Sequence, residues 1–217
     1  MLPVTSGVSY SVKRTGIGES SPVPLRPQGR SSPARSAAVC LPEKGARLDV
    51  RDLIRAIPDF PIPGILFRDI TPLLADRDGF KATIDLFVNR YRDAKLDHVV
   101  GIEARGYMLG APLAYALGVG FVPVRKPGKL PGAKHAEEYA LEYGTNTLEI
   151  HADAFKPGER ILIVDDLLAT GGTAAATLRL VKKLGADVVG VAFLIELAGL
   201  SGRAALGSTR VEAFITY

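Results

Sequence analysis

The chain has 217 residues, 47% hydrophobic and 23% charged, with a formal net charge of +4, which is length enough for one ordinary domain with a real core. The positive balance does not mark a nucleic-acid binder: residues 1–45 carry six basic side chains against Glu19 and Glu43, and the rest balances at 21 basic and 21 acidic, from totals of 27 and 23, so the folded part is neutral. Cys40 is the only cysteine, His98, His135 and His151 show no ligand spacing, and no apolar run approaches the ~20 residues of a membrane span, which excludes a disulfide framework, a thiolate metal site and a transmembrane helix and leads to the expectation of a soluble cytoplasmic protein.

Residues 1–45 hold Pro3, Pro22, Pro24, Pro27, Pro33 and Pro42 among Ser, Gly and Arg without helical or strand period. A disordered N-terminal extension is expected, followed by one domain over residues 46–217. That domain opens on a helical pattern at Val50, Leu53, Ile54 and Ile57, stopped by Pro58. The stretch 59–70, DFPIPGILFRDI, is held extended by its prolines, which leaves backbone N–H and C=O groups of Leu66, Phe67 and Arg68 free. Residues 80–91 place Ile84, Phe87, Val88 and Tyr91 on one helical stripe. Residues 98–102 read as a buried strand, 106–117 as a helix ended by Gly118, and 120–124 as a further strand, together a βαβ unit. Its first loop holds Glu103, Ala104, Arg105 and Gly106. A loop at the carboxyl end of a strand in an open α/β sheet is where ligands bind, and Arg105 offers a fork for phosphate oxygens.

Residues 126–144 contain Lys126, Lys129 and Lys134, then Glu137, Glu138 and Glu142 with Tyr143, among Pro and Gly and almost without apolar period. An excursion of that length reads as a lid, the alternative being a surface hairpin with salt bridges.

The chain is organised around 160–185, RILIVDDLLATGGTAAATLRLVKKLG. Ile161, Leu162, Ile163 and Val164 lack polar alternation, as in a strand covered on both faces. The strand is expected to stop at Asp165 and Asp166. A turn with Ala169, Thr170, Gly171, Gly172 and Thr173 then leads into a helix. Glycines permit close approach, and the amides of a helix start, with the two threonine hydroxyls, suit a phosphate. The two aspartates would repel a phosphate but accept hydrogen bonds from sugar hydroxyls, so the ligand implied is a phosphorylated ribose. The alternative is that Asp165, Asp166 and Thr170 merely cap the helix. No lysine follows the glycines as in an ATPase loop. Residues 188–194 form another buried strand, and 210–216 an edge strand.

VDDLLATGGT resembles the ribose-phosphate signature of the type I phosphoribosyltransferases in its adenine phosphoribosyltransferase version. FPIPGILFRDITPLL (60–74), GIEARGYMLGAPLA (101–114), VRKPGKLPG (124–132) and LEYG (141–144) extend the likeness from about Asp52 to the end of the chain. The resemblance implies an α/β domain with a mostly parallel twisted sheet, helices on both faces and a small hood from 60–70. It implies transfer of a 5-phosphoribosyl group from phosphoribosyl pyrophosphate to adenine, giving AMP and pyrophosphate in purine salvage. Magnesium would be held mainly by substrate oxygens, and the protein would be a homodimer with no nucleic-acid or membrane partner. In that scheme Ala169–Thr173 hold the 5-phosphate and Asp165 and Asp166 the ribose. Glu103, Ala104 and Arg105 form the pyrophosphate loop, with a cis peptide expected at Glu103–Ala104, and Lys126 and Lys129 approach pyrophosphate from the lid. Leu66, Phe67, Arg68 and Leu197 hold adenine, and Glu142, with Tyr143, assists proton movement on the base. A phosphoribosyltransferase for another base, and a non-enzymatic sensor of phosphoribosyl pyrophosphate, remain open.

Overall fold

The structure, a computed structural model, describes residues 48–140 and 144–217; the expected extension 1–45 and Leu141, Glu142 and Tyr143 of the expected lid lie outside the described residues. A 3-10 turn, Val50–Leu53, leads to β1 (Arg55–Ile57), which pairs antiparallel with β2 (Phe67–Asp69). Helices α1 (Thr71–Ala75) and α2 (Arg77–Tyr91) follow, then β3 (His98–Ile102), α3 (Arg105–Leu117) and β4 (Gly120–Val124). An antiparallel hairpin of β5 (Lys134–Ala140) and β6 (Thr145–His151) precedes β7 (Arg160–Leu168), α4 (Gly172–Lys183), β8 (Asp187–Glu196) and β9 (Val211–Thr216).

The central sheet has the order β4-β3-β7-β8-β9 and every pairing in it is parallel. Its middle strands carry no polar alternation because both faces are covered. Val99, Leu162 and Val164 pack with α2 and α3, while Val100, Ile102, Ile161 and Ile163 pack with α4 and the β5–β6 hairpin. Each fully buried Val, Leu or Ile side chain contributes about 1.5–3 kcal/mol, so the two half-cores hold β7 from both sides. In α2, Ile84, Phe87 and Tyr91 recur at helical spacing and are buried, as that stripe predicts. Gly106 lets α3 sit close to β7, for a Cβ there would meet the Val164 carbonyl oxygen at 2.8 Å.

Four local expectations are corrected. The pattern at Val50, Leu53, Ile54 and Ile57 is a four-residue 3-10 turn followed by a strand. So short a run nucleates helix poorly, and Arg55 instead pairs with Asp69 across the β1–β2 ladder. Val50 and Ile54 are buried all the same. In the proline-bearing stretch 59–70, Phe67–Asp69 joins that ladder rather than remaining a loop. Asp165 and Asp166 lie inside β7 rather than at its end, because β8 continues to pair with it through Leu167↔Ile195 and Leu168↔Glu196. The excursion 126–144 contains β5, and its ladder continues through β6 to His151. The hairpin shows no apolar period because the face of β5 turned inward carries His135, Glu137 and Tyr139, and Lys134–Glu149 (2.9 Å) and Arg179–Glu137 ion pairs fasten it.

Candidate active site

A cavity of about 480 Å³ opens at the carboxyl edge of the parallel sheet. Glu103, Ala104, Arg105, Lys126, Asp165, Asp166 and 169–173 all line it, so residues far apart in sequence surround one space. Two helices begin there. The residue preceding α3 is Ala104 and that preceding α4 is Gly171, and neither offers a side-chain cap. No side chain therefore satisfies the first amides of either helix, although the Tyr107 amide turns back to the Ala104 carbonyl at 3.3 Å, and both helices carry the positive end of their dipole toward the cavity. This excludes the reading in which Asp165, Asp166 or Thr170 caps α4. Gly171 has φ +84, and a Cβ on it would overlap the Gly202 carbonyl oxygen and approach Ala205 Cβ at 2.9 Å. The cradle turn is thus pressed against 202–205, which only a glycine in left-handed backbone allows.

The acid pair occupies the floor. Asp165 Oδ1 accepts from the Asp166 amide at 2.9 Å. Asp166 is buried; Arg105 Nε lies 2.8 Å from its Oδ2, an ion pair out of line for hydrogen bonding, so Oδ2 has no hydrogen-bond donor. Burial, and then the neighbouring Asp166 charge, pushes Asp165 well above the usual carboxylate range. Burial likewise raises Asp166, against the opposing pull of Arg105. The Arg105 charge offsets that burial, and the position of the carboxylate beside 169–173 suits a ligand hydroxyl.

The rim is built differently. Glu103, joined to Ala104 by a cis peptide bond, accepts from the Lys126 amide at 2.9 Å, and Arg125 Nε lies 3.3 Å from the same oxygen. The Lys126 amide, then Arg125, hold Glu103 below the usual carboxylate range. Its carboxylate ties the end of β3 to the residues after β4 and so fixes the backbone from which the Lys126 side chain projects.

Leu66, Phe67, Arg68, Lys129 and Leu197 are not on the cavity lining. Phe67 is linked to it through Arg105, whose guanidinium carbon lies 5.3 Å from the ring, and it meets Phe60 edge-on at 5.1 Å. Arg68 sits over the Tyr217 ring at 3.7 Å. Leu66 is exposed, and the half-buried Leu197 donates its amide to the Leu168 carbonyl. Lys129 is exposed and offers its carbonyl to Arg125. Glu142 and Tyr143, expected at the base, lie outside the described residues. Sequence reasoning missed Tyr139, Asn146 and Leu148 of the hairpin, and Leu167, Leu168 and Phe193 of the sheet, all on the lining. Tyr139 lies in the segment read as a lid or a salt-bridged hairpin, and Asn146 and Leu148 lie beyond it on β6, where no site was expected.

Uncapped helix starts on two sides, with hydroxyl acceptors between them, suit a sugar phosphorylated at both ends. The chain is accordingly of the phosphoribosyltransferase class: the phosphoribosyl transferase domain family matches residues 70–207. A protein from Acaryochloris marina named adenine phosphoribosyltransferase is 61% identical over 170 residues, covering 78% of this chain and 100% of that protein. The crystal structure of adenine phosphoribosyltransferase from Thermoanaerobacter pseudethanolicus is 51% identical with a TM-score of 0.76, covering 77% of this chain and 98% of its own. The Saccharomyces cerevisiae enzyme, complexed with an iminoaltritol bisphosphate and adenine, is 42% identical with a TM-score of 0.72 over 75% of this chain and 94% of its own. The chain belongs to the adenine phosphoribosyltransferase family.

Proposed function

We propose that the chain transfers the 5-phosphoribosyl group of phosphoribosyl pyrophosphate to adenine, giving AMP and pyrophosphate. The observation that carries the site assignment is the Asp165 and Asp166 pair on the lining of a cavity bordered by two helix starts that no side chain caps. Breaking the bond from C1 to pyrophosphate leaves an oxocarbenium-like ribose, so the site must anchor the 5-phosphate, fix the ring hydroxyls and neutralise the departing charge. The first amides of α4, with Thr170 and Thr173, hold the 5-phosphate. Asp165 and Asp166 accept from the ribose hydroxyls. Arg105 moves from Asp166 to the leaving pyrophosphate, joined by Lys126, with Lys129 nearby. Glu103 keeps the Lys126 backbone in place for that role.

Magnesium, held mainly by substrate oxygens, is part of the same reading; bound there, it would offset charge on the pyrophosphate. Adenine lies toward the hood, against Phe67 and Leu197 and the backbone of Leu66 and Arg68. Glu142, with Tyr143, assists proton movement on the base; both assignments rest on the LEYG wording. A cytoplasmic homodimer is part of the same proposal on family resemblance, and no described helix is long and apolar enough to cross a membrane.

The test is acceptor choice. With phosphoribosyl pyrophosphate and magnesium supplied, adenine should be converted to AMP while hypoxanthine, guanine, orotate and uracil are used at least a hundredfold less efficiently, a gap of about 2.7 kcal/mol. Equal or better use of any of the four would overturn the adenine assignment.

A further inference from the structure

The hairpin brings one side chain to the cradle that neither the motif nor the proposed mechanism uses. Tyr139 lies on β5, is 8% exposed, and belongs to the hydrophobic cluster beneath α4. Its ring is therefore fixed in the core while its hydroxyl reaches the cavity lining, the usual disposition of a tyrosine with an apolar body and a polar tip. That hydroxyl accepts from Thr173 Oγ1 at 3.2 Å. Two residues earlier on the same strand, Glu137 pairs with Arg179 of α4 at 2.5 Å, so β5 is fastened to this helix at two points.

Two hydroxyls that share one hydrogen bond have one proton left over. With Thr173 as the donor in that bond, the phenolic proton is the one left for a ligand. The phenol is the more acidic of the two groups and so the better donor to an anion. A chain running from threonine to phenol to anion is also polarised in one direction throughout, which strengthens each bond in it. The anion is at hand on the reading of 169–173 as the 5-phosphate cradle, on which this inference rests.

We propose that Tyr139 is a phosphate-binding residue of the cradle: its phenol donates to a phosphoryl oxygen of the phosphoribosyl group, while the Thr173 hydroxyl, whose one proton goes to the phenol, orients it and so serves the 5-phosphate through the phenol rather than by a bond of its own. The cradle is then shared between the start of α4 and the β5–β6 hairpin rather than formed by the ATGGT turn alone.

Calorimetric titration of the full chain with ribose 5-phosphate tests this, using the parent, Tyr139→Phe, Thr173→Val and the double variant, with thermal melts alongside. Tyr139→Phe keeps the ring and its packing and loses one internal hydrogen bond, so the melting temperature should fall by no more than a few degrees while Kd for ribose 5-phosphate rises about tenfold, the size expected for one hydrogen bond to a charged group. Because the two hydroxyls act in series, the double variant should be weakened by clearly less than the product of the single effects. Tyr139→Phe binding within twofold of a parent that does bind overturns this inference alone, as does full multiplicativity of the two effects. A parent chain that fails to bind ribose 5-phosphate overturns the cradle reading and this inference with it.

Discussion

Helices α2 and α4 begin in opposite ways. At α2, away from the cavity, Asp76 accepts from the Gly79 amide at 2.7 Å and caps the helix with its own chain. At α4 the preceding residue is Gly171, no side chain caps the helix, and the free amides line the cavity. A cap contributes about 1 kcal/mol, so the chain forgoes local stability at the cavity and keeps it elsewhere. The same contrast separates α3, preceded by Ala104, from α2. What α3 and α4 lack is what a phosphate would supply.

The largest effect that would break this contrast comes from Gly171→Val. Sequence alone suggests that a side chain there fills the phosphate space. The structure gives a different reason, because the Cβ meets the Gly202 carbonyl and the left-handed backbone is closed to valine,. Ribose 5-phosphate binding should be lost and the melting temperature should fall together, which titration and melting will show. A variant of parent stability that still binds would mean that the close approach of 171 to 202 is not needed to form the cradle.

Next in size is Glu142→Leu. A positioned proton-transfer group contributes about 10²- to 10⁴-fold, so turnover should fall a hundredfold or more. Glu137→Leu, which cuts a half-exposed ion pair to Arg179, should stay within a few-fold. If the two variants show the same turnover, proton transfer by Glu142 is not part of the reaction.

Asp166→Asn sharpens the comparison from the sugar side. It should leave the fold intact and weaken use of phosphoribosyl pyrophosphate and of AMP together by about ten- to a hundredfold, the range for a hydrogen bond to a charged acceptor; unchanged kinetics for both would remove the ribose role. The acid pair also predicts a pH dependence. Because burial raises both folded-state pKa values, the free protein binds more protons than the unfolded chain in the window above the usual carboxylate range. Its stability from these groups is highest below that window and declines as pH rises through the raised values. Affinity for the ribose moves the other way, falling as pH drops through the same values, because the acceptors become protonated. The smallest effect belongs to Asp76→Ala, which should cost about 1 kcal/mol of stability and leave kcat/KM unchanged.

The sheet was legible where chemistry is local. Unbroken runs such as Ile161–Val164 and Val99–Ile102 predict strands covered on both faces, and Gly118 ends α3 in left-handed backbone as its position suggests. The Gly-Gly turn and the helix after it were legible too, since they are contiguous. The long-range partners were not. That Glu103 holds the Lys126 amide, that Gly202 backs Gly171, and that Tyr139 reaches Thr173 all depend on pairings between segments tens of residues apart. For 126–144 the hairpin with salt bridges, the alternative to a lid, is what forms over β5. Its reach through β6 to His151 was not legible, because ion pairs and a polar inward face replace the apolar alternation by which strands are read. Asp165 and Asp166 look like the end of a strand, yet β8 pairs past them, and nothing local to those residues reports the length of a neighbouring strand.

Amide hydrogen exchange tests the central claim most directly, because it reads the donors themselves. With ribose 5-phosphate bound, exchange at 172–174 should slow while the amides that open α2, 77–79, keep their rates; with pyrophosphate bound, the slowing should appear at 105 and 106. Saturating ligand that leaves 172–174 and 105–106 unchanged would contradict the account, because the two uncapped helix starts would then not be the groups that hold the phosphates.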